Sequence, residues 1–253
     1  MFKKIIKYIL PKKVWENIKT LKLNYEKKKF KKKSNYQIFE EIYKKKLWSP
    51  NRSKENYKFY SGTGSHNSEF SEIYISSVKN FLKSLPSKPN VVDLGCGDFE
   101  IGSKLRSECN EYIAIDVFDD LIDYNKKKFK DYNVTFKTLD ITKDEIPGGD
   151  VCFLRTVLQH LSNDSIKKFL DLMKNNYKYL IITEHLPEDV NFVPNIDMLT
   201  GPYIRLDKNS GVDLTKNPFK LAVVSENILC DIKSNKNYKF NGVMSTKVLQ
   251  LKN

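Results

Sequence analysis

From Asn90 onward the chain alternates short apolar runs with stretches in which apolar residues return at helical spacing. The apolar runs, bounded by turn residues, predict buried strands at Asn90–Leu94, Tyr112–Asp116, Val134–Thr138, Asp150–Leu154 and Tyr179–Thr183. The intervening 3.6-residue period predicts helices at Glu100–Ser107, Asp119–Phe129 and Asn163–Asn175. Such β–α alternation with short connections implies an α/β, doubly wound, mostly parallel sheet with helices on both faces. Lys220–Asp231 and Asn241–Leu251 are richer in β-branched residues and lack helical period, as expected of a closing antiparallel pair. Together the runs make a seven-stranded sheet.

Upstream, Glu69–Leu85 predicts a helix packed beside the first strand, and Tyr36–Leu47 a helix with Ile38, Phe39, Ile42 and Tyr43 on one face. Phe2, Ile5, Ile6 and Ile9 recur at helical spacing between Lys3, Lys4 and Lys7. After Pro11, the residues Val14, Trp15, Ile18 and Leu21 resume the period, so this end reads as a pair of cationic amphipathic helices. Between the fifth strand and the closing pair lies Leu186–Phe219, a long connection that is usually functional or disordered. Its Asn195-Ile196-Asp197, Gly201-Pro202, Arg205 and Ser210-Gly211-Val212 suggest an ordered lid.

Charge changes the picture at one end. Residues 1–50 hold 16 lysines, no arginine and 4 glutamates, a net of +12 in a chain of +13, which leaves +1 for the other 203. The front is therefore read as a basic helical extension (1–50), and 51–253 as the domain that carries the chemistry. Three readings of the front stay open: a solvated lysine-rich helix, an interfacial helix resting on anionic lipid through residues 1–33, and a nucleic-acid contact. The last is disfavoured by the lack of arginine for bidentate phosphate or base contacts. Cys96, Cys109, Cys152 and Cys230 form no C-x-x-C pair, which fits reduced thiols and a cytoplasmic location. No apolar run reaches bilayer-spanning length.

The densest chemistry lies at Val91-Val92-Asp93-Leu94-Gly95-Cys96-Gly97-Asp98, a buried strand running into a glycine turn and a helix. Glycines let a ligand approach the main chain, and Asp93 stands at the carboxyl end of the strand, where open α/β sheets bind ligands. Asp116 closes the next strand, placed to accept from two ribose hydroxyls. The spacing departs from a dinucleotide fingerprint: the third glycine is delayed to Gly102, and Asp98 would repel a pyrophosphate.

This segment resembles motif I of class I, Rossmann-like, S-adenosylmethionine-dependent methyltransferases, and the resemblance runs in order from about Pro89 to about Pro187. It implies S-adenosyl-L-methionine as cofactor and S-adenosyl-L-homocysteine as product. Asp116 and its neighbour Val117 match the ribose-binding position; Leu139-Asp140-Ile141 matches the loop whose acid reads the adenine amino group. Asp150–Leu161, with Arg155, resembles the fourth strand and following turn that line the transfer pocket. The resemblance thus assigns Asp93, Gly95, Cys96, Gly97, Asp116, Val117, Asp140, Ile141 and Arg155 to the cofactor. Phe99 departs from the small residue many members carry beside the methionine part.

Methyl transfer to a hydroxyl needs a group to take its proton. The three histidines, His66, His160 and His185, all map to the expected rim, with Glu184 beside His185. Tyr60, Ser61, Ser65, Gln159 and Arg205 are the expected acceptor contacts, Arg205 through its bidentate fork or, alternatively, merely paired with Asp207. Nothing in the spacing of His160, His185 and Glu184 demands a metal, and none is expected. The lysine-rich front, Ser-Gly-x-Gly-Ser, Asp-Leu-Gly-Cys-Gly-Asp and Gly-x-x-x-Arg look like small bacterial methyltransferases of capsule and other surface polysaccharides. That likeness implies O-methylation of a small polar acceptor: a sugar, a nucleotide-linked sugar or a phosphoramidate-type group. The alternatives are an RNA methyltransferase anchored by the lysines, or a non-catalytic membrane-associated module retaining the fold.

Overall fold

The computed structural model describes Val14 and residues 30–49, 57–173, 176–233 and 242–252. The amphipathic pattern of residues 2–21 falls outside these apart from Val14, as does most of the lysine block that follows it. Seven strands form one sheet in the order β3-β2-β1-β4-β5-β7-β6. They are β1 (Val91–Leu94), β2 (Tyr112–Asp116), β3 (Thr135–Thr138), β4 (Val151–Arg155), β5 (Tyr179–Leu186), β6 (Val223–Lys233) and β7 (Val243–Leu251). The first five run parallel, and β7 joins antiparallel to both β5 and β6, so the expected architecture is the one observed.

Among the described residues the α-helices are α1 (Asn35–Lys44), the single turn α2 (Thr63–His66), α3 (Ser68–Ser84), α4 (Glu100–Leu105), α5 (Asp119–Lys128) and α6 (Asn163–Met173). On one sheet face Tyr74, Val78 and Leu82 of α3 pack against Val91, Phe153, Ile181 and Val248. On the other, Ile166, Phe169 and Met173 of α6 pack against Cys152, Leu154, Leu180 and Leu249. Both faces are covered, so the central strands are buried almost throughout and read as apolar runs interrupted only by Asp93 in β1 and by half-buried Arg155 at the end of β4. The sheet reverses direction of growth at β1 and β4, leaving a crevice at their carboxyl ends for a ligand.

Two boundaries differ from expectation in ways that matter. Strand β5 continues three residues past Thr183, because β7 pairs with it as far as Leu186 opposite Val243. Residues 30–49, grouped with the basic extension from their charge, pack onto the domain. There Phe30, Ile38 and Ile42 form a cluster with Leu47, Trp48 and Tyr203, while Tyr43 stacks on Phe118 at 5.9 Å. A capping box at Ser34 and Gln37 starts α1. The connection 187–222 is ordered by its own polar contacts: Asn195 Nδ2 donates to the carbonyls of Asp213 (2.7 Å) and Asn217 (2.9 Å).

Candidate functional site

A cavity of about 430 Å³ opens over the carboxyl ends of β1, β2 and β4. Its floor is the turn after β1. Gly95 and Gly97 carry φ of 75° and 56°, and a Cβ on Gly97 would run into the Ser61 side chain. Asp116 organises this turn from β2: Gly97 N donates to Oδ2 at 3.1 Å and Phe118 N to Oδ1 at 3.2 Å. Asn125 of α5 donates to the Gly97 carbonyl at 2.7 Å and so fixes the turn from the other side. Phe99, the bulky departure from the family pattern, points away from the cavity. Its backbone is left-handed (φ 61°), and its ring packs between Tyr112, Phe129 and Phe136. Gly102 is the partner of this arrangement, since a Cβ there would collide with the Phe99 ring.

Three carboxylates line the cavity in a row, Asp93, Asp116 and Asp140, one each from the ends of β1 and β2 and the loop after β3. Burial pushes Asp93 up to about 7, against the opposing hydrogen bond from Tyr112 Oη (2.9 Å) and the nearby charge of Arg155. Burial likewise raises Asp116 to about 6, opposed by the amides of Phe118, Gly97 and Val117. Asp140 accepts from Thr142 N at 3.0 Å and Thr142 Oγ1 at 2.8 Å.

The segment before α3 closes one wall. Ser61 and Asp98 exchange bonds: Asp98 N donates to Ser61 Oγ at 2.6 Å, and Ser61 N to Asp98 Oδ2 at 3.0 Å. Arg155 reaches across from β4 and donates to Gly64 O (2.7 Å) and Ser65 Oγ (3.0 Å), its guanidinium lying over the Tyr74 ring. Opposite, Gln159, His160 and His185 form a polar chain. His185 Nδ1 lies 2.8 Å from Gln159 Oε1, Gln159 Nε2 3.3 Å from His160 Nε2, and His160 Nδ1 3.0 Å from the Tyr203 carbonyl. The carbonyl and amide oxygens can only accept, so both histidines carry their proton on Nδ1. Burial drives both imidazoles down to about 4, with Arg155 adding to the effect at His185, so each is neutral near pH 7.

Residues 91–178 match the family model described as a methyltransferase domain. Among solved structures, the chain is similar to the N-methyltransferase NodS of Bradyrhizobium japonicum WM9, crystallised with S-adenosyl-L-homocysteine. The TM-score is 0.57 at 14% identity, over 86% of this chain and 98% of that one. It is also similar to the magnesium protoporphyrin IX methyltransferase ChlM of Synechocystis PCC 6803, with bound SAM: TM-score 0.52, 14% identity, covering 87% and 99%. No curated protein matches the sequence. The chain has the class I methyltransferase fold.

Within that fold the cofactor residues expected from the motifs (Asp93, Gly95, Cys96, Gly97, Asp116, Val117, Asp140, Ile141, Arg155) all line the one cavity, together with Ser61, Ser65, Gln159, His160 and His185. Four expectations are corrected. Glu184 alternates with His185 on β5 and so faces the opposite side of the sheet, among Ile182, Leu186 and Val212. Burial there raises it to about 8. It cannot share a proton or a metal with the histidines. His66 lies outside the lining, its Nε2 2.6 Å from Asp98 Oδ2 and its ring stacked on Tyr60 at 4.4 Å; that stacking also takes Tyr60 out of the wall. Arg205 is 1% exposed and spends its fork on the carbonyls of Leu158 and Leu161 and on Asn163 Oδ1, so it does not grip an acceptor.

The motifs did not reveal Asn35, Phe39, Tyr43, Leu47 and Trp48, which come from α1 and the turn after it and roof the cavity. Their signal was present in the aromatic face of Tyr36–Leu47, hidden under the lysine count.

Proposed function

We propose that the chain transfers the methyl group of S-adenosylmethionine to an oxygen of a small polar acceptor, a sugar hydroxyl of a bacterial surface-polysaccharide precursor. The observation that carries the reading is the convergence of Asp93, Asp116 and Asp140 on one cavity over a glycine turn, with a neutral histidine chain beside them. The residues fit the cofactor. Asp116 offers the acceptor oxygens that ribose hydroxyls need, Asp140 the acceptor for an adenine amine, and Asp93 a carboxylate for an ammonium. Arg155, Ser65 and the turn amides surround the place left for a carboxylate.

Bound there, the cofactor would supply a methyl group already activated as a sulfonium, so the protein's main task is alignment. His185 Nε2 carries the lone pair; being too weakly basic to deprotonate the hydroxyl beforehand, it takes the acceptor proton only in step with methyl transfer. Gln159 holds that ring by its Nδ1 and ties it to His160. The withdrawal of Arg205 from the cavity removes the cation first offered for a phosphate, which favours a plain sugar hydroxyl over a nucleotide-linked one. In this reading the enzyme is cytoplasmic, with residues 1–33 against anionic lipid at the inner face of the membrane.

Incubation with methyl-labelled cofactor and a panel of free sugars, nucleotide-linked sugars and RNA tests the acceptor. Label is expected on the sugars; label on RNA alone would overturn the assignment. Asp116→Asn is expected to weaken S-adenosylhomocysteine binding by about 10- to 100-fold in calorimetry, the loss expected when charge-assisted bonds to hydroxyls are removed. His185→Gln is expected to cut turnover by about 10²-fold with cofactor affinity retained. An unchanged rate would take the base role from His185.

A further inference from the structure

We infer that Asn35, from the helix outside the motif core, is a positioning residue for the adenine-reading acid and thereby sets discrimination for a 6-amino purine. This rests on the cofactor reading above and deepens it. Asn35 and Asp140 are 105 residues apart, yet Asn35 Nδ2 lies 3.1 Å from Asp140 Oδ1, 3.3 Å from Oδ2 and 2.9 Å from Thr142 Oγ1.

The two carboxylate oxygens are not equivalent. Oδ1 receives Thr142 N, Thr142 Oγ1 and the shorter Asn35 bond, which exhausts its good directions. Among the described residues, Oδ2 has only the 3.3 Å contact from Asn35. The carboxylate is thus held by one edge, with its other oxygen left for a donor from the cavity, which Asp140 lines. An exocyclic amine is such a donor; a 6-oxo group is not. Asn35 and Thr142 fix the plane of the carboxyl so that its second oxygen stays aimed.

The placement of Asn35 is itself secured. The Ser34–Gln37 capping box sets the start of α1, Tyr36 Oη donates to Asp119 at 2.9 Å, and Tyr43 stacks on Phe118. Phe39 stands one helical turn beyond Asn35 on the same face and also lines the cavity, so α1 presents an amide and a ring together.

The test uses the full chain and two probes in calorimetry: S-adenosylhomocysteine and its 6-oxo counterpart, S-inosylhomocysteine. The wild type should prefer the amine. Asn35→Ala is expected to weaken S-adenosylhomocysteine about 5- to 10-fold, as for loss of one positioned hydrogen bond to a charged group, while leaving S-inosylhomocysteine unchanged. The near-isosteric Asn35→Asp keeps the packing volume but sets a like charge beside Asp140, and it should lose more of the preference. Equal weakening of both probes, or of neither, would overturn the inference, since a helix anchored for packing alone would not distinguish the two bases. A wild type that binds neither probe would instead sink the cofactor reading itself.

Discussion

Arg205→Ala is expected to lower folding stability by about 3–5 kcal/mol, the usual loss when one member of a buried polar network is removed. The side chain is 1% exposed and donates at 2.8, 2.7 and 2.8 Å to Leu158 O, Leu161 O and Asn163 Oδ1. Truncation takes the donor from the buried Leu161 carbonyl, leaves the Leu158 carbonyl with Leu161 N alone, and frees half-buried Asn163 Oδ1, with a penalty of about 1–3 kcal/mol for each buried acceptor left unpaired. It also removes the positive charge that holds buried Glu184 down, so that carboxyl moves further from its ordinary range. Because a domain this size has only about 5–15 kcal/mol to lose, the melting temperature should fall by roughly 10 °C. Lysine should rescue little, having a single ammonium where three acceptors are spread across a fork. A variant melting within about 2 °C of wild type, with only a raised KM for the acceptor, would return Arg205 to the substrate.

The position of Arg205 shows where reading a sequence gives out. The β–α succession from Val91 to Thr183 was legible because burial on both faces leaves apolar runs, and because a glycine turn must follow β1 for the main chain to form a cradle. The three acids were legible because strand ends in such a sheet converge on one crevice. Which side of a strand a residue takes was not. Glu184 and His185 are neighbours in sequence, and with a strand ending at Thr183 both would be loop residues facing one rim. The β7 ladder carries β5 on to Leu186, and the pleat then sends the two in opposite directions.

Long-range pairings were hidden for the same reason. The partners of Arg205 lie more than 40 residues away in a turn whose carbonyls carry no sequence mark. The front of the chain misled through its charge. Sixteen lysines in residues 1–50 marked that stretch as a basic helical extension, yet Tyr43 and Trp48 sit among aromatic partners on the domain and reach the cavity.

Asp93 should make cofactor binding depend on pH in a direction set by its burial. In the unliganded chain its pKa is about 7, so near pH 6 most molecules carry a neutral carboxyl. A cofactor ammonium favours the ionised form, and binding below pH 7 must therefore expel a proton. Affinity for S-adenosylhomocysteine is expected to fall by about tenfold per pH unit below 7 and to level off above about 8, with proton release in acid buffers. Asp93→Asn should weaken binding by about 10²-fold at pH 8, the cost of an unpaired buried ammonium, and abolish most of the slope.

Stability without ligand should run the other way. A carboxyl raised in the native state binds more protons there than in the unfolded chain. Its contribution is greatest in acid and is lost as pH rises from about 4 through 7. Asp116, raised to about 6, and Glu184, raised to about 8, share that sign. His160 and His185, lowered to about 4, act with the opposite sign but chiefly below about pH 6.5. The unliganded protein should still melt lower near pH 8 than near pH 6, and Asp93→Asn should melt higher than wild type at the alkaline end while binding less. Calorimetry with cofactor and thermal melts without it read the two effects separately. An affinity flat across that range would mean that Asp93 never meets the ammonium, and the row of acids would lose its first member.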